Sequence, residues 1–344
     1  MPYEVTIGIP VYNVERFIRQ TLDSVMAQTF QNIEFLICDD CGTDSSIDIV
    51  REYQHTHPRG KDIRIVRQPR NMGLGNGRNR MIAEACGRYI YFMDADDILS
   101  PDSIQLLMEQ AIRYDADMVY GSMEKILLYD NNRHEKNANY FYMYFSKEDE
   151  FASWAYRKYD GLQASTCNFL IKVDIFKNND IRYKPINYWE DFTTTIDIPT
   201  YVTRVVMIPN VTYYYICREG SMSNYQHRSH IEKTEIQQTI NAMALVKQSI
   251  DRLREKPYFH KYMFKVMMTH FYMVCAILKS KKAISPSFTM RELRDVMSSP
   301  LSFTETISLK GWKCKNLALF MLGILPSTLS ILIIKMLGKI KGLI

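Results

Sequence analysis

The chain has 344 residues, of which 47% are hydrophobic and 24% are charged, a composition typical of globular proteins that excludes an intrinsically disordered chain. Its net charge of +5 is small and the basic residues are spread along the sequence, which argues against a dedicated nucleic-acid surface. The seven scattered cysteines suit a reducing compartment, and no secretion signal precedes the first apolar run, so we expect a cytoplasmic protein.

Short apolar runs alternate with amphipathic stretches over the first 120 residues. The apolar runs predict strands over residues 5–9, 33–38, 63–67, 89–93 and 117–120. The amphipathic stretches predict helices over residues 15–27, 45–53 and 77–85, and a further helix begins near residue 100. Asn13 is the predicted N-cap of the first helix, and Ser100 with Pro101 marks the start of the last. This alternation predicts an α/β fold with a mostly parallel sheet flanked by helices.

The remainder of the chain has a different pattern. Residues 125–230 are less regular and rich in aromatic side chains, and the polar stretch 130–137 predicts a loop. From residue 231 to about residue 278 the pattern is helical. The stretch 317–334 is largely apolar but is interrupted by Pro326.

Polar and acidic side chains directly follow three of the predicted strands, at residues 10–13, 39–40 and 94–97. Ligands of parallel sheets bind beyond the carboxyl ends of the strands, so these segments are candidates for a binding site. Asp94, Asp96 and Asp97 crowd three carboxylates into four residues, which is electrostatically unfavourable without a cation. Such a group suits Mg²⁺ or Mn²⁺ bridging two phosphates. A solvated acidic turn or a helix cap is the structural alternative.

Several motifs occur together in an order and spacing that resemble the family-2 inverting glycosyltransferases. The motifs over residues 4–120 are Ile9-Pro10-Val11-Tyr12-Asn13, Asp39-Asp40 with Thr43-Asp44-Ser45, Asn71-Met72-Gly73, Arg78-Asn79 and Asp94-Ala95-Asp96-Asp97. The likeness continues more loosely through Glu190-Asp191, Tyr213-Tyr214-Tyr215, Arg218 and Ser221. The resemblance implies a GT-A (Rossmann-like) fold, a nucleotide-sugar donor that is usually a UDP-sugar, and inversion at the anomeric carbon.

The resemblance also implies roles for the residues at the strand ends. It places Pro10, Tyr12, Asn13, Asp39 and Asp40 at the nucleotide, with Asp40 bonded to the base and Asp39 supporting its loop. In the same way, Asp96 is expected to ligate the metal ion directly, and Asp94 to contact the ribose or the metal shell. The chain departs from the family pattern at Cys41, where glycine or another small residue is usual.

The segment Tyr188-Trp189-Glu190-Asp191-Phe192 resembles the part of the family that supplies the catalytic base. Asp191 matches the base, which takes the proton from the acceptor hydroxyl as it attacks the anomeric carbon. Capping of a helix is the alternative role for Asp191, and the two roles are compatible. Trp189 and Glu190 are candidates for contact with the sugar, acceptor or diphosphate, although core packing explains the tryptophan equally well.

Two arginines are further candidates for contact with the diphosphate. Arg78 follows the glycines of 73–77, which lack the spacing and position of a dinucleotide-binding fingerprint but could flank the diphosphate. Arg218 could close over the diphosphate or the acceptor, and the equal alternative is an arginine that is simply exposed to solvent.

We expect the catalytic domain to cover residues 1–230, with a nucleotide-binding half at 1–120 and an acceptor-binding half at 121–230. A helical extension over 231–310 and an apolar, basic segment over 311–344 would follow. The lysines on either side of 317–334 predict that this segment lies on an anionic membrane surface, on the inner face of the cell membrane. A pair of packed helices and a true span, for which the segment is short, are the alternatives. A lipid-linked or glycan acceptor, as in relatives that build bacterial cell-surface polysaccharides, would fit this location.

Two other classes of function compete with a glycosyltransferase. A nucleotidyltransferase that makes nucleotide sugars would carry a glycine-rich, basic loop after the first strand, where this chain has residues 10–13. A non-catalytic, membrane-bound scaffold would have no reason to retain the crowded carboxylates at Asp96 and Asp191.

Overall fold

The computed structural model describes residues 3–128, 130–157, 162–186, 189–218 and 229–344. The chain divides into two compact units, and the first of them comprises Met1–Phe151 and Gln163–Glu219. The second comprises Ala152–Leu162 and Gly220–Ile344. The finer division at residues 120, 230 and 310 stays a prediction.

The first unit opens with alternating strands and helices. They are β1 (Tyr3–Val11), α1 (Ile18–Met26), β2 (Ile33–Asp39), α2 (Ser46–Thr56), β3 (Ile63–Arg67), α3 (Leu74–Glu84), β4 (Gly87–Phe92), β5 (Ile98–Leu99) and α4 (Ser103–Arg113). A 3-10 turn over Gly60–Asp62 leads into β3. All seven residues of β2 are buried, as expected for a strand covered on both faces of a parallel sheet. The α1 residues Ile18, Leu22 and Val25 are buried at helical spacing, so one apolar face holds the helix in place.

The same unit continues with elements in which strands predominate. They are β6 (Met118–Leu127), β7 (Arg133–Ala138), β8 (Met143–Phe145), β9 (Phe169–Lys172), α6 (Val173–Asn178), α7 (Phe192–Thr195) and β10 (Val205–Cys217). The first two residues of α5 (Glu150–Ala155) also belong to this unit, and its other four belong to the second. A 3-10 turn covers Ile198–Thr200. The loop predicted over 130–137 is a turn as far as residue 132 but was wrong from residue 133 onward, because the register of β7 places Arg133 opposite Leu127 and Glu135 opposite Lys125 of β6.

Ten strands of the described residues form one mixed sheet in the order β3-β2-β1-β4-β9-β6-β10-β5, with β7 beside β6 and β8 beside β10. The strands β1 to β4 are parallel to one another. The short β9 lies between β4 and β6 and is antiparallel to both. The predicted α/β class, a sheet flanked by helices, is confirmed, and the sheet is mixed because β5, β7, β8 and β9 are each antiparallel to their neighbours.

Three predicted helix starts were wrong, and one of them is that of α3, which begins at Leu74 rather than at residue 77. The helix α1 begins at Ile18, because the Phe17 N–H donates to the Val14 carbonyl in a preceding turn, at 2.9 Å. The Asn13 side chain does not cap this helix, since its amide oxygen accepts the Thr43 N–H at 2.8 Å. The helix α4 begins at Ser103, after Ser100, whose carbonyl accepts the Ser103 N–H at 3.1 Å.

The second unit is mainly helical, as predicted from residue 231 onward. Its elements are β11 (Ile231–Glu232), α8 (Lys233–Gln248), α9 (Phe259–Lys279), β12 (Ile284–Ser285), α10 (Met290–Val296), α11 (Phe303–Ser308), α12 (Lys313–Ile324) and α13 (Ser327–Ile340), with a 3-10 turn over Ser249–Leu253. The break between α12 and α13 falls at Leu325-Pro326, as the proline predicts. Within the described parts of the chain, every helix is too short or too polar to cross a membrane.

Candidate active site

The predicted nucleotide-binding residues come together at the carboxyl ends of β1 and β2. Val11 and Asp39, the last residues of these strands, are register partners, and the Asp40 N–H donates to the Val11 carbonyl at 3.0 Å. Pro10 is buried within β1, whereas the Tyr12 side chain that follows is 44% exposed. Tyr12 therefore follows the residue that pairs with Asp39, and its aromatic ring is exposed at this end of β1.

The two neighbouring carboxylates of β2 both organise loops. Asp40 accepts the N–H of Met72 at 2.7 Å and the N–H of Gly73 at 2.9 Å, which fixes the loop between β3 and α3. Asp39 accepts the Cys41 N–H at 2.9 Å. Cys41 has a φ of 59°, in the left-handed region that favours glycine, which accounts for the glycine expected at this position. Both Asp40 oxygens keep lone pairs that a nucleobase N–H could use.

The three carboxylates after β4 divide into one structural group and two that remain accessible. Asp97 is 1% exposed and accepts the Tyr213 hydroxyl at 2.6 Å and the Ile216 N–H at 2.8 Å, so it ties this loop to β10. Burial, together with the charges of Asp94 and Asp96, raises the pKa of Asp97 well above its usual range. The side chains of Asp94 and Asp96 are 36% and 22% exposed, and each of them pairs with an arginine, Asp94 with Arg78 and Asp96 with Arg218.

Asp96 is paired with one of the predicted arginines. The Arg218 guanidinium donates to a carboxylate oxygen of Asp96 and lies over the Phe17 ring, 3.8 Å from its centroid. Burial and the neighbouring Asp94 charge raise the pKa of Asp96 to about 6, although Arg218 opposes the shift. A carboxylate whose charged form is disfavoured in this way gains from a nearby cation.

Arg78 links the metal-binding candidates to the segment with the candidate base. Its guanidinium donates to Glu190 and, at 3.3 Å, to Asp94. The next residue, Asp191, is the N-cap of α7, and its side chain accepts the Phe192 N–H at 2.7 Å, so the capping role is confirmed. Burial and the Glu190 charge raise the pKa of Asp191 to about 7, and Arg78 opposes the shift.

The donor set fits a Mg²⁺ or Mn²⁺ ion that keeps much of its own coordination shell. The fit rests on Asp94 and Asp96, two accessible carboxylates separated by one residue. Among the described residues no three histidine, cysteine or acidic side chains form a metal-binding group. Mg²⁺ in nucleotide enzymes needs only one or two carboxylates, because substrate phosphates and water complete its shell.

The other residues named in the sequence analysis either make contacts within the fold or lie outside the described residues. Trp189 is partly exposed and lies edge-on to Phe192, with ring centroids 6.2 Å apart, so it contributes to packing at the start of α7. Tyr188 and Ser221 lie outside the described residues. Sequence reasoning did not assign a role to Tyr213, whose hydroxyl accepts the Asp94 N–H at 3.2 Å while donating to Asp97. The Tyr213-Tyr214-Tyr215 motif was its only signal.

Comparison with known proteins identifies the relatives of this chain. GlyA of Streptococcus pneumoniae, a glycosyltransferase, is 27% identical over 230 residues, which are 64% of this chain and 31% of GlyA. The chondroitin synthase of Escherichia coli is 36% identical over 106 residues, 31% of this chain and 15% of the synthase. The alignments thus cover less than a third of either relative's length.

Two solved structures share the fold. TarS 1-349 of S. aureus has a TM-score of 0.62 at 17% identity, covering 93% of this chain and 90% of TarS. TarS has also been solved with UDP and with UDP-GlcNAc. The mannosyltransferase PcManGT of Pyrobaculum calidifontis, in complex with GDP-Man and Mn²⁺, has a TM-score of 0.54 at 16% identity, covering 82% of this chain and 74% of PcManGT.

The mixed sheet, the helical C-terminal region of the chain and the likeness to these solved structures define a protein with the GT-A fold. The sequence profile of the glycosyl transferase family 2 domain matches residues 6–179, which is just over half of the chain. The chain therefore belongs to glycosyl transferase family 2.

Proposed function

We propose that this protein transfers a sugar from a UDP-sugar to an acceptor hydroxyl, with inversion at the anomeric carbon and with Mg²⁺ or Mn²⁺ as cofactor. One observation carries the proposal: Arg78 contacts both Asp94 and Glu190. Because Asp191, the candidate base, directly follows Glu190, this pair of contacts supports a site in which Asp191 and Asp94 act on the same substrate.

Each group would have a separate task in the transfer. Asp40 and Tyr12 would hold the nucleoside, and Asp96 with Asp94 would hold the metal ion. When bound, the ion stabilises the negative charge of the departing diphosphate. Asp191 would accept the proton of the acceptor hydroxyl, and its pKa of about 7 suits a base that works near neutral pH. Arg218 would be available to the diphosphate once a cation replaced it at Asp96.

The relatives favour a UDP-sugar donor and a glycan acceptor. TarS binds UDP and UDP-GlcNAc, and the chondroitin synthase acts in the synthesis of a polysaccharide, as its name states. We propose a hexosyl or N-acetylhexosaminyl donor and an acceptor that is a lipid-linked or free glycan of the cell surface.

A thermal-shift panel of nucleotide sugars tests the proposed donor. In the presence of Mn²⁺, a UDP-sugar at 100 times its Kd should stabilise the fold by about 2.7 kcal/mol, because it binds only the native state. The GDP- and ADP-sugars in the same panel are the matched controls. A shift of equal size with all three nucleotides, or with none, would contradict the proposed UDP specificity.

We also propose that α13 attaches the protein to the inner face of the cell membrane. Four apolar side chains spaced by three or four residues are exposed along one face of this helix, namely Leu329, Leu332, Met336 and Ile340. Leu332 is 65% and Ile340 76% exposed. Lys335 and Lys339 are adjacent in sequence to this face, and Lys339 is exposed. An apolar face beside cations fits a surface of anionic lipid, into which the leucines insert while the lysines reach the headgroups.

Vesicle sedimentation tests this surface. The double variant Leu332→Ser/Met336→Ser should lose most of the binding to vesicles of phosphatidylglycerol and phosphatidylcholine, since burying each apolar side chain contributes about 1.5–3 kcal/mol. Leu245→Ser is the matched control, because Leu245 is an exposed leucine of α8 in the same unit. If the double variant sediments as the parent protein does, α13 is not the anchor.

A further inference from the structure

Helix α3 directly contacts the backbone of residues 183–184, which precede the candidate base Asp191 in the chain. The Asn79 amide donates to the Tyr183 carbonyl and accepts the Tyr183 N–H, both at 2.8 Å. At Gly75, a Cβ atom would lie 2.2 Å from the Lys184 carbonyl oxygen, so only glycine allows this close approach. Residues 183–184 are therefore fixed to α3 at two points, about one helical turn apart.

Arg78 adds a third contact from the same helix, to Glu190. The side chains of Arg78 and Glu190 are only 4% and 8% exposed, and a short hydrogen bond joins them. The second guanidinium nitrogen faces Asp94 at 3.3 Å, and the guanidinium carbon is 5.6 Å from the centroid of the Tyr183 ring. Both terminal nitrogens of Arg78 thus contact carboxylates, and its guanidinium is buried.

This enclosure argues against the direct diphosphate contact that the sequence suggested for Arg78. A buried guanidinium with a carboxylate on each side is rigidly held, because arginine offers a planar fork of donors. Removing it would leave the buried Glu190 charge without its partner, which is strongly unfavourable. Such a residue can set the distance between the groups that it joins.

We infer that Arg78 is a positioning residue. By joining Glu190 to Asp94, it fixes the position of the candidate base Asp191 relative to the candidate metal ligands. Gly75 and Asn79 hold residues 183–184, which precede this base in the chain. This inference rests on the proposed function, since it assigns Arg78 a task in the same transfer. The Arg78 charge also favours the ionised form of Asp191, because it opposes the rise in the pKa of that carboxyl.

Steady-state kinetics and UDP binding of Arg78→Gln test the inference. We expect kcat to fall about 100-fold, because a displacement of about 1 Å between reacting groups has an effect of that size. The Kd for UDP in Mn²⁺ should stay within about threefold of the parent value, since the enclosed guanidinium would not touch the nucleotide. The acid limb of the kcat profile should move to higher pH as the cation near Asp191 is lost. Arg80→Gln is the matched control, because Arg80 lies on the same helix, 47% exposed and paired only with Glu84 among the described residues.

A large rise in the Kd for UDP with little change in kcat would make Arg78 a diphosphate ligand and would overturn the inference. If Arg78→Gln does not fold, Asn79→Ala takes its place, because it removes an uncharged contact to the same segment. We expect Asn79→Ala to lower kcat roughly tenfold with unchanged UDP binding, and a parental kcat would contradict the inference. Asp191→Asn, measured in parallel, separates the two proposals. If Asp191→Asn is inactive and Arg78→Gln is fully active, only the positioning role of Arg78 is contradicted. If Asp191→Asn is active, the assignment of Asp191 as the base is contradicted.

Discussion

Asp191→Asn is expected to abolish sugar transfer while leaving the affinity for UDP unchanged. The substitution keeps the size of the side chain and its acceptor oxygen, so the hydrogen bond from the Phe192 N–H that caps α7 can persist. An amide cannot take a proton from the acceptor hydroxyl, and loss of a general base typically lowers kcat by about 10²–10⁴-fold. The measurement is kcat with a UDP-sugar donor, beside a calorimetric titration of UDP in Mn²⁺.

The same substitution should not lower stability, and above neutral pH it should raise it. The pKa of Asp191 is raised to about 7 by burial and by the Glu190 charge, so the folded state disfavours its ionised form. A carboxyl with a raised pKa contributes stability at low pH, and that contribution is lost as the pH rises through about 7. The parent protein should therefore lose stability between about pH 4 and pH 7 more steeply than Asp191→Asn, as measured by thermal unfolding. Turnover should rise over the same interval, because the base must be ionised.

Asp180→Asn is the matched control, since Asp180 is 83% exposed and pairs with Arg182 at the surface. Its turnover and its pH profile should match those of the parent. Near-normal turnover of Asp191→Asn would remove Asp191 from the role of base and leave it as a helix cap.

The strands and helices of the first 120 residues could be predicted because their signals are local. The wholly buried run of β2 and the acidic pair at its end lie within eight consecutive residues, so sequence alone places the pair at the end of a strand. The same holds for β4 and the carboxylates that follow it. The short β9 gave no comparable signal. Its four residues become a strand only because Leu170 pairs with Tyr91 and with Val119, on two distant strands.

The separate roles of the carboxylates could not be predicted, because they too depend on contacts between residues far apart in the sequence. Asp96 and Asp97 are adjacent and chemically identical, and what separates them is the Tyr213 hydroxyl, 116 residues away in the sequence from Asp97. Likewise, the partner of Arg78 is Glu190, 112 residues distant. Spacing along the chain identified the acidic segment, whereas the role of each member depends on contacts made only in the folded protein.

Asp96→Ala is expected to abolish the metal-dependent part of UDP binding. Asp96 is one of two accessible carboxylates in the loop after β4, and burial with the Asp94 charge raises its pKa to about 6 despite the ion pair with Arg218. A divalent ion held by this carboxylate would favour its charged form, and the ion would be lost with the side chain. We expect the Kd for UDP in Mn²⁺ to rise by at least about 100-fold, beyond the range of 10–100-fold seen when a group that only supports a metal ligand is removed.

Titrations of UDP with Mn²⁺ and with EDTA distinguish loss of the metal from loss of the fold. In EDTA the parent protein and Asp96→Ala should bind UDP equally, since Asp40 and Tyr12 remain in place. Asp97→Asn provides the contrast, because its carboxylate holds the Tyr213 hydroxyl and the Ile216 N–H rather than a ligand. That variant should lower the melting temperature, since it weakens a buried hydrogen-bond network. If Asp96→Ala bound UDP in Mn²⁺ as tightly as the parent, Asp96 would not be a ligand of the metal ion, and its assignment would be wrong.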